Sequence, residues 1–194
     1  MARYSTQHKQ QTRARILDAA DRLIKGRGIE AATVQDVIRE AGLTVGGFYA
    51  HFPSKEALAQ ETLIAGVERS FSELTAGLED LDDRAFLRAI IRRYLRQVED
   101  ADLASACPMT LLLPEVARAD DAFRMAFATR TARLITGVAP RFPGEDEHAK
   151  RETAVATFAA LAGAVSFARA AATPRARRRI TEATERLLAD ALHL

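Results

Sequence analysis

One cysteine, Cys107, stands in a chain of 194 residues. A single thiol excludes an internal disulfide framework and fits a reducing compartment. Prolines (6) and glycines (10) are sparse, and the two-residue alternation of half-buried strands is scarce. With 48% hydrophobic residues the chain is apolar enough to fold, and the pattern predicts an all-α protein. The four histidines, His8, His51, His148 and His193, have no metal-ligand spacing, and one cysteine does not make a zinc site, so neither metal nor cofactor is expected. No catalytic constellation stands out; nothing in the sequence supports pairing Cys107 with a histidine as a nucleophile. No basic-then-apolar leader opens the chain. Its longest uncharged run, Thr153 to Ala168, is 16 alanine-rich residues, short against the ~20 of a membrane span. A soluble, cytoplasmic protein without a membrane partner is expected.

Charge of one sign is also lacking overall, since the net is only +2. That is too little for a polycation that coats nucleic acid indiscriminately. The distribution is uneven, however. Residues 1–30 hold seven Lys/Arg against three Asp/Glu (+4), residues 31–60 hold two against three (−1), and the remaining 134 therefore carry −1. Positive charge gathers at the amino end, where it suits phosphates.

What is present is concentrated in residues 33–55, TVQDVIREAGLTVGGFYAHFPSK. Thr33 is placed to cap a helix in which Val34, Val37, Ile38 and Ala41 recur at helical spacing. Gly42 can end it in the left-handed region. Leu43 turns inward, and Thr44 can cap a second helix with Phe48 and Phe52 on one face. Two short helices over a three- or four-residue turn form a helix-turn-helix, whose second helix enters a DNA major groove. Gly46 and Gly47 fall in that helix's first turn, each costing about 1 kcal/mol relative to alanine in a helix interior. They either admit close packing by a neighbouring helix or let backbone approach DNA, with Thr44, Tyr49 and His51 beside the gap. Lys55, past Pro53-Ser54, is within reach of a phosphate or is simply solvated.

This segment resembles the DNA-binding domain of the TetR family of bacterial transcriptional regulators. The likeness is carried by Thr33, Val37, Ala41-Gly42-Leu43, Gly46, Phe48-Tyr49, His51-Phe52 and Ser54-Lys55-Glu56-Ala57-Leu58. It reaches back through Ile16-Leu17-Asp18-Ala19-Ala20 and Leu23, covering about residues 10 to 60. One departure is Val45, where many members carry lysine or another polar residue; an apolar contact, such as a thymine methyl, would replace a polar one. The resemblance implies a three-helix helix-turn-helix domain over residues 1–53 and a helical effector-binding and dimerisation domain over 54–194. It implies a double-stranded DNA operator contacted through Thr33, Thr44, Val45, Gly46, Gly47, Tyr49, His51 and Lys55, and a small lipophilic or aromatic effector that releases the DNA.

About nine helices are expected. The first runs from about Gln7 to Lys25, with Ile16, Ala19, Ala20, Leu23 and Ile24 inward and Lys9, Arg13 and Arg15 available to a DNA backbone. A helix of about 25 residues follows Ser54, with Leu58, Ile64, Val67, Phe71, Leu74 and Leu78 inward, roughly 37 Å at 1.5 Å per residue. Asp82 or Asp83 caps the next. Pro108 suits the first position of a short helix that Pro114 should interrupt and kink. Phe123, Phe127, Leu134, Ile135 and Val138 mark another, closed by the loop Ala139–Gly144. A helix over about 147–172 is rich in small residues (Ala154, Ala156, Ala159, Ala160, Ala162, Gly163, Ala164). The last starts at Thr173-Pro174, with Ile180, Leu187, Leu188 and Ala191 on its apolar side. Small residues permit close approach, so the last two helices are expected to form a two-fold four-helix bundle with a second copy. Half-sites would then lie ~34 Å or a multiple apart. Phe71, Phe86, Tyr94, Met109, Phe123 and Phe127, with Cys107, are candidates for an apolar effector pocket. Alternatively Cys107, at a helix N-terminus that favours thiolate, senses electrophiles or oxidants. A helical interaction module that does not bind DNA is the remaining alternative.

Overall fold

The computed structural model describes residues 2–99 and 106–194, with side chains from residue 7 onward. Among them are nine α-helices, one 3-10 turn and no strand. The helices are α1 (Ala2–Arg27), α2 (Val34–Ala41), α3 (Val45–Tyr49), α4 (Lys55–Thr75), α5 (Asp83–Arg96), α6 (Pro108–Val116), α7 (Asp121–Val138), α8 (Glu147–Ala170) and α9 (Pro174–Ala191); the 3-10 turn is Ala139–Arg141.

Local chemistry sets most boundaries. The side chains of Thr33, Thr44, Ser54, Asp82, Asp120, Asp146 and Thr173 each accept a backbone N–H in the first turn of the helix they precede, worth about 1 kcal/mol apiece. α2 ends at Gly42 with φ 65°. There Leu43 N–H donates to Ile38 O (2.8 Å) and Gly42 N–H to Arg39 O (3.2 Å), the paired bonds of a left-handed helix stop.

The core forms two clusters. One joins α1–α3 and the first half of α4 through Ile16, Ala20, Leu23, Val37, Phe48, Phe52, Leu58 and Leu63. It also takes in Leu112 and Val116 of α6 and Phe123 and Phe127 of α7. The other lies between α5, α8, α9 and the end of α4, around Phe86, Ile90, Tyr94, Phe158, Leu161, Val165 and Leu188. α6 packs against both parts of the molecule, since Leu112 and Val116 join the first cluster and the Thr110 carbonyl is bonded by Ser166 of α8. Gly66 makes that approach possible: a Cβ there would lie 2.8 Å from Pro108 Cγ.

Several expectations change. α1 starts earlier than Gln7, and α4 has 21 residues, about 31 Å, because the chain turns off before Gly77 (φ 70°). Leu63, at 2% exposure, takes the inward position assigned to Ile64, which is half-buried. Pro114 does not end α6, which continues to Val116. Proline lacks the N–H that would reach back four residues to Thr110 O. That carbonyl instead accepts the Ser166 hydroxyl of α8 at 2.7 Å. α8 is long and apolar enough to cross a membrane by length and composition, yet it buries Ala154, Phe158, Leu161, Val165 and Ala168 against its neighbours, as a core helix does.

Candidate nucleic-acid interface and interior cavity

α3 is held from behind and open in front. Phe48 and Phe52 are 0% and 1% exposed, and Phe52 N–H still donates to Phe48 O at 3.1 Å beyond the last residue of α3. These two rings seat the helix on α1 and α4. Truncating either to alanine would cost about 3–5 kcal/mol. In front, Val45 (52%) and Tyr49 (55%) are exposed, with Thr44 and Gly46 beside them. Tyr49 stands edge-on to Phe48, ring centroids 5.1 Å apart, so the buried ring orients the exposed one.

The glycines are not there for internal packing. A Cβ on Gly46 would meet nothing within 4 Å, and one on Gly47 would make only ordinary contacts, 3.5 Å from Thr44 Oγ1 and 3.9 Å from Leu43 Cβ. Nothing among the described residues uses the clearance.

The remaining residues of the set divide by partner. Thr33 Oγ1 accepts Asp36 N–H (3.1 Å) and donates to Asp36 Oδ2 (2.7 Å). That bond, above all, holds the Asp36 carboxyl below its ordinary pKa. Thr44 Oγ1 accepts Gly47 N–H at 3.3 Å. Both threonines are committed as caps and exposed. Lys55 Nζ donates to Glu30 O at 2.6 Å, which fixes the ammonium beside the α1–α2 loop and leaves two of its three protons. His51 Nδ1 is buried without a partner among the described residues. Burial, then the charges of Lys9 and Arg13, hold its pKa below 6.5. Of the basic residues of α1, Lys9 is exposed. Arg13 instead pairs with Glu61 and lies over the Phe52 ring (4.5 Å), and Arg15 donates to Ala41 O at the end of α2. Those two guanidiniums brace the helix-turn-helix.

A small cavity lies between α4, α5, α6, α7 and α8. Phe71, Tyr94, Cys107 and Met109 line it together with Val67, Ser70, Leu74, Gln97, Thr131, Leu134, Ile135 and Phe158. Phe86, Phe123 and Phe127 do not. Phe86 lies under the Arg141 guanidinium at 4.5 Å, Phe127 packs in the cluster with α1–α4, and Phe123 faces an open groove beside Lys55 and Glu115. Space for the centre of a water molecule inside the cavity is only about 20 Å³, room for roughly one water. Cys107 is also not what its helix-terminal position predicts. It is 5% exposed, and burial, the largest influence, pushes the thiol pKa up rather than down.

Among the exposed apolar side chains away from these sites are Phe167 on α8 (68%) and Leu187 on α9 (66%), besides Met125 on α7 (69%). Val155, Ala156, Ala159 and Gly163 continue the exposed face of α8, and a Cβ on Gly163 would meet nothing within 4 Å. Leu187 thus leaves the inward side of α9 to Leu188.

A short helix presented from a capped, glycine-stopped turn on a three-helix support defines a helix-turn-helix DNA-binding protein. Residues 16–62 match the family described as bacterial regulatory proteins, tetR family. An HTH-type transcriptional regulator of Mycobacterium tuberculosis, Rv0196, is 30% identical over 171 residues, covering 81% of this chain and 84% of that protein. The transcriptional repressor KstR2 of Rhodococcus jostii is 34% identical over 104 residues, 52% of this chain and 50% of KstR2. A TetR-family regulator from Cytophaga hutchinsonii superposes with a TM-score of 0.77 at 20% identity, covering 94% of this chain and 96% of that one. The chain belongs to the TetR family and is a DNA-binding transcriptional regulator. Membership removes the interaction module that does not bind DNA.

Proposed function

We propose that this regulator is a cytoplasmic homodimeric repressor, which leaves a near-palindromic operator when a small lipophilic or aromatic molecule enters the interior cavity. Residues 1–53 read DNA, and 54–194 bind the effector and dimerise. The observation that carries the reading is the unused clearance at Gly46 on an exposed helix. Two adjacent glycines cost helix stability, and with no internal neighbour to accommodate, the space suits a duplex edge. Val45, Gly46, Gly47 and Tyr49 face the groove, with Val45 meeting an apolar group such as a thymine methyl. Thr33, Thr44, His51 and Lys55 meet the backbone, supported by the exposure of the two threonines, by the two remaining protons of Lys55 and by the positive charge of Lys9. The apolar strip of Phe167, Val155 and Leu187 favours pairing of α8 and α9 with a second copy. Electrophile sensing by Cys107 loses support, because a buried thiol with a raised pKa is a poor nucleophile.

Selection of bound fragments from genomic DNA by the purified chain, followed by a salt titration on the winner, tests this. A two-fold sequence with half-site centres ~34 Å or a multiple apart, bound with log-linear loss of affinity in salt, is expected. Equal binding to the winner and to scrambled competitor would refute it.

A further inference from the structure

The effector reading leaves the chemistry of the ligand open, and the cavity wall narrows it. Tyr94 is 3% exposed and lines the cavity, yet its hydroxyl has no hydrogen-bond partner of ordinary geometry among the described residues. What it meets is the Cys107 thiol, to which it makes at most a weak hydrogen bond, sulfur being a weak acceptor. A buried hydroxyl left unpaired is unfavourable, so such a group in a native interior calls for an explanation. Burial raises the Tyr94 pKa well above its ordinary value, so the hydroxyl keeps its proton and acts as a donor. Gln97 also lines the cavity, and its Oε1 already accepts Cys107 N–H at 3.2 Å. The Thr131 hydroxyl donates to Phe127 O. The donor that the wall holds unspent is therefore the Tyr94 hydroxyl.

Among the described residues lining the cavity there is no Asp, Glu, Lys, Arg or His, so an ionic ligand would be desolvated without compensation. The rest is aromatic and aliphatic. Phe71 and Phe158 lie 5.6 Å apart and Tyr94 and Phe158 6.3 Å, centroid to centroid, giving a ring-lined wall on which a flat molecule stacks.

We propose that the cavity selects an uncharged, largely aromatic molecule whose single oxygen acceptor, a carbonyl or ether, takes the Tyr94 hydroxyl, and that it excludes anions and cations. This rests on the cavity being the effector site and adds the chemical class. The walls part on entry, since the present free space holds about one water, and Met109 is the flexible wall element.

Three probes matched in size separate the possibilities: 2-acetylnaphthalene, 2-ethylnaphthalene and 2-naphthoate, titrated calorimetrically into the full DNA-free chain and into Tyr94→Phe. The ketone binds about fivefold tighter than the hydrocarbon, the gain of one neutral hydrogen bond, and 2-naphthoate does not bind. Tyr94→Phe erases the ketone's advantage and leaves 2-ethylnaphthalene unchanged, which also shows the pocket intact. Naphthoate binding as tightly as the ketone, a ketone preference that survives Tyr94→Phe, or binding by none of the three would overturn the proposal. A separate arm adds the ketone to the operator complex. Tyr94-dependent binding with DNA still held refutes the effector reading but not the ligand chemistry. Release of DNA by an anion refutes the chemistry but not the reading.

Discussion

Replacing Gly46 with alanine separates two demands that usually move together. The added methyl meets nothing within 4 Å in the folded chain, so it introduces no strain. It also restricts the unfolded backbone and improves helix propensity. The full glycine-to-alanine gain of about 1 kcal/mol applies to helix interiors. Gly46 is the second residue of a five-residue helix, so about half of that, ~0.5 kcal/mol, is a fair expectation. For a domain of this length that raises Tm by about 1–2 °C. On DNA the same methyl occupies the clearance between backbone and base edges, once in each reading helix of the dimer. A loss of 10- to 100-fold in operator affinity, about 1.4–2.7 kcal/mol, is expected from the two copies together. Thermal melting without DNA and anisotropy of labelled operator at fixed salt read the two effects. Operator binding at wild-type strength with the predicted rise in Tm would refute groove entry at Gly46. A fall in Tm would show that the chain itself uses the space.

Other perturbations probe the remaining surfaces. His51 has a pKa below 6.5 in the free protein and is therefore neutral at pH 7; a phosphate drawn to it raises that value, so binding takes up a proton. Operator affinity should then increase as pH falls from 6.5 through the free-protein pKa, and His51→Gln should flatten that dependence; a wild-type profile already flat removes His51 from the contact set. Phe167→Glu alters a side chain that is 68% exposed, so the monomer fold survives. Sedimentation should show monomers with operator affinity reduced more than tenfold through lost avidity, and an intact dimer would exclude this face. Because burial raises the Cys107 pKa, the native thiol should react with iodoacetamide at pH 7 at least ~100-fold more slowly than in urea; comparable rates, followed by mass spectrometry, would restore the redox reading.

What the sequence made legible was local. The caps at Thr33, Thr44 and Ser54 and the stop at Gly42 each involve bonds spanning five residues or fewer, so short-range chemistry decides them. The cavity was legible only in part because its wall is drawn from five helices. Periodicity marks Phe86, Phe123, Phe127 and Tyr94 alike as inward, yet only Tyr94 meets Phe71, Cys107 and Met109. Phe86 is claimed by Arg141, 55 positions along the chain. Ser70, Gln97 and Thr131 gave no signal, since polar residues on amphipathic helices read as solvated. Pro114 shows the opposite failure: the local rule predicts an interruption, and Ser166, 52 positions away, satisfies the carbonyl that proline strands.

That same helix supplies the mechanical link the proposed function requires. α6 begins at the cavity wall with Cys107 and Met109, and Glu115, one residue before its end, accepts Ile29 N–H at 2.6 Å in the loop between α1 and α2. Between these points Pro108 lies against Gly66 of α4. A ligand that parts the cavity walls moves the start of α6. The movement reaches α4 through a contact too close for any side chain at Gly66, and the helix-turn-helix through the Glu115 carboxylate. Switching a dimer from 99% DNA-competent to 1% requires a preference of about 5.5 kcal/mol for the released state. Burying a few aromatic carbons and pairing Tyr94 accounts for that only if the empty cavity is already strained toward opening. Tyr94→Phe should raise about fivefold the concentration of a carbonyl-bearing effector needed for the same release, and leave the response to a hydrocarbon of the same size unchanged.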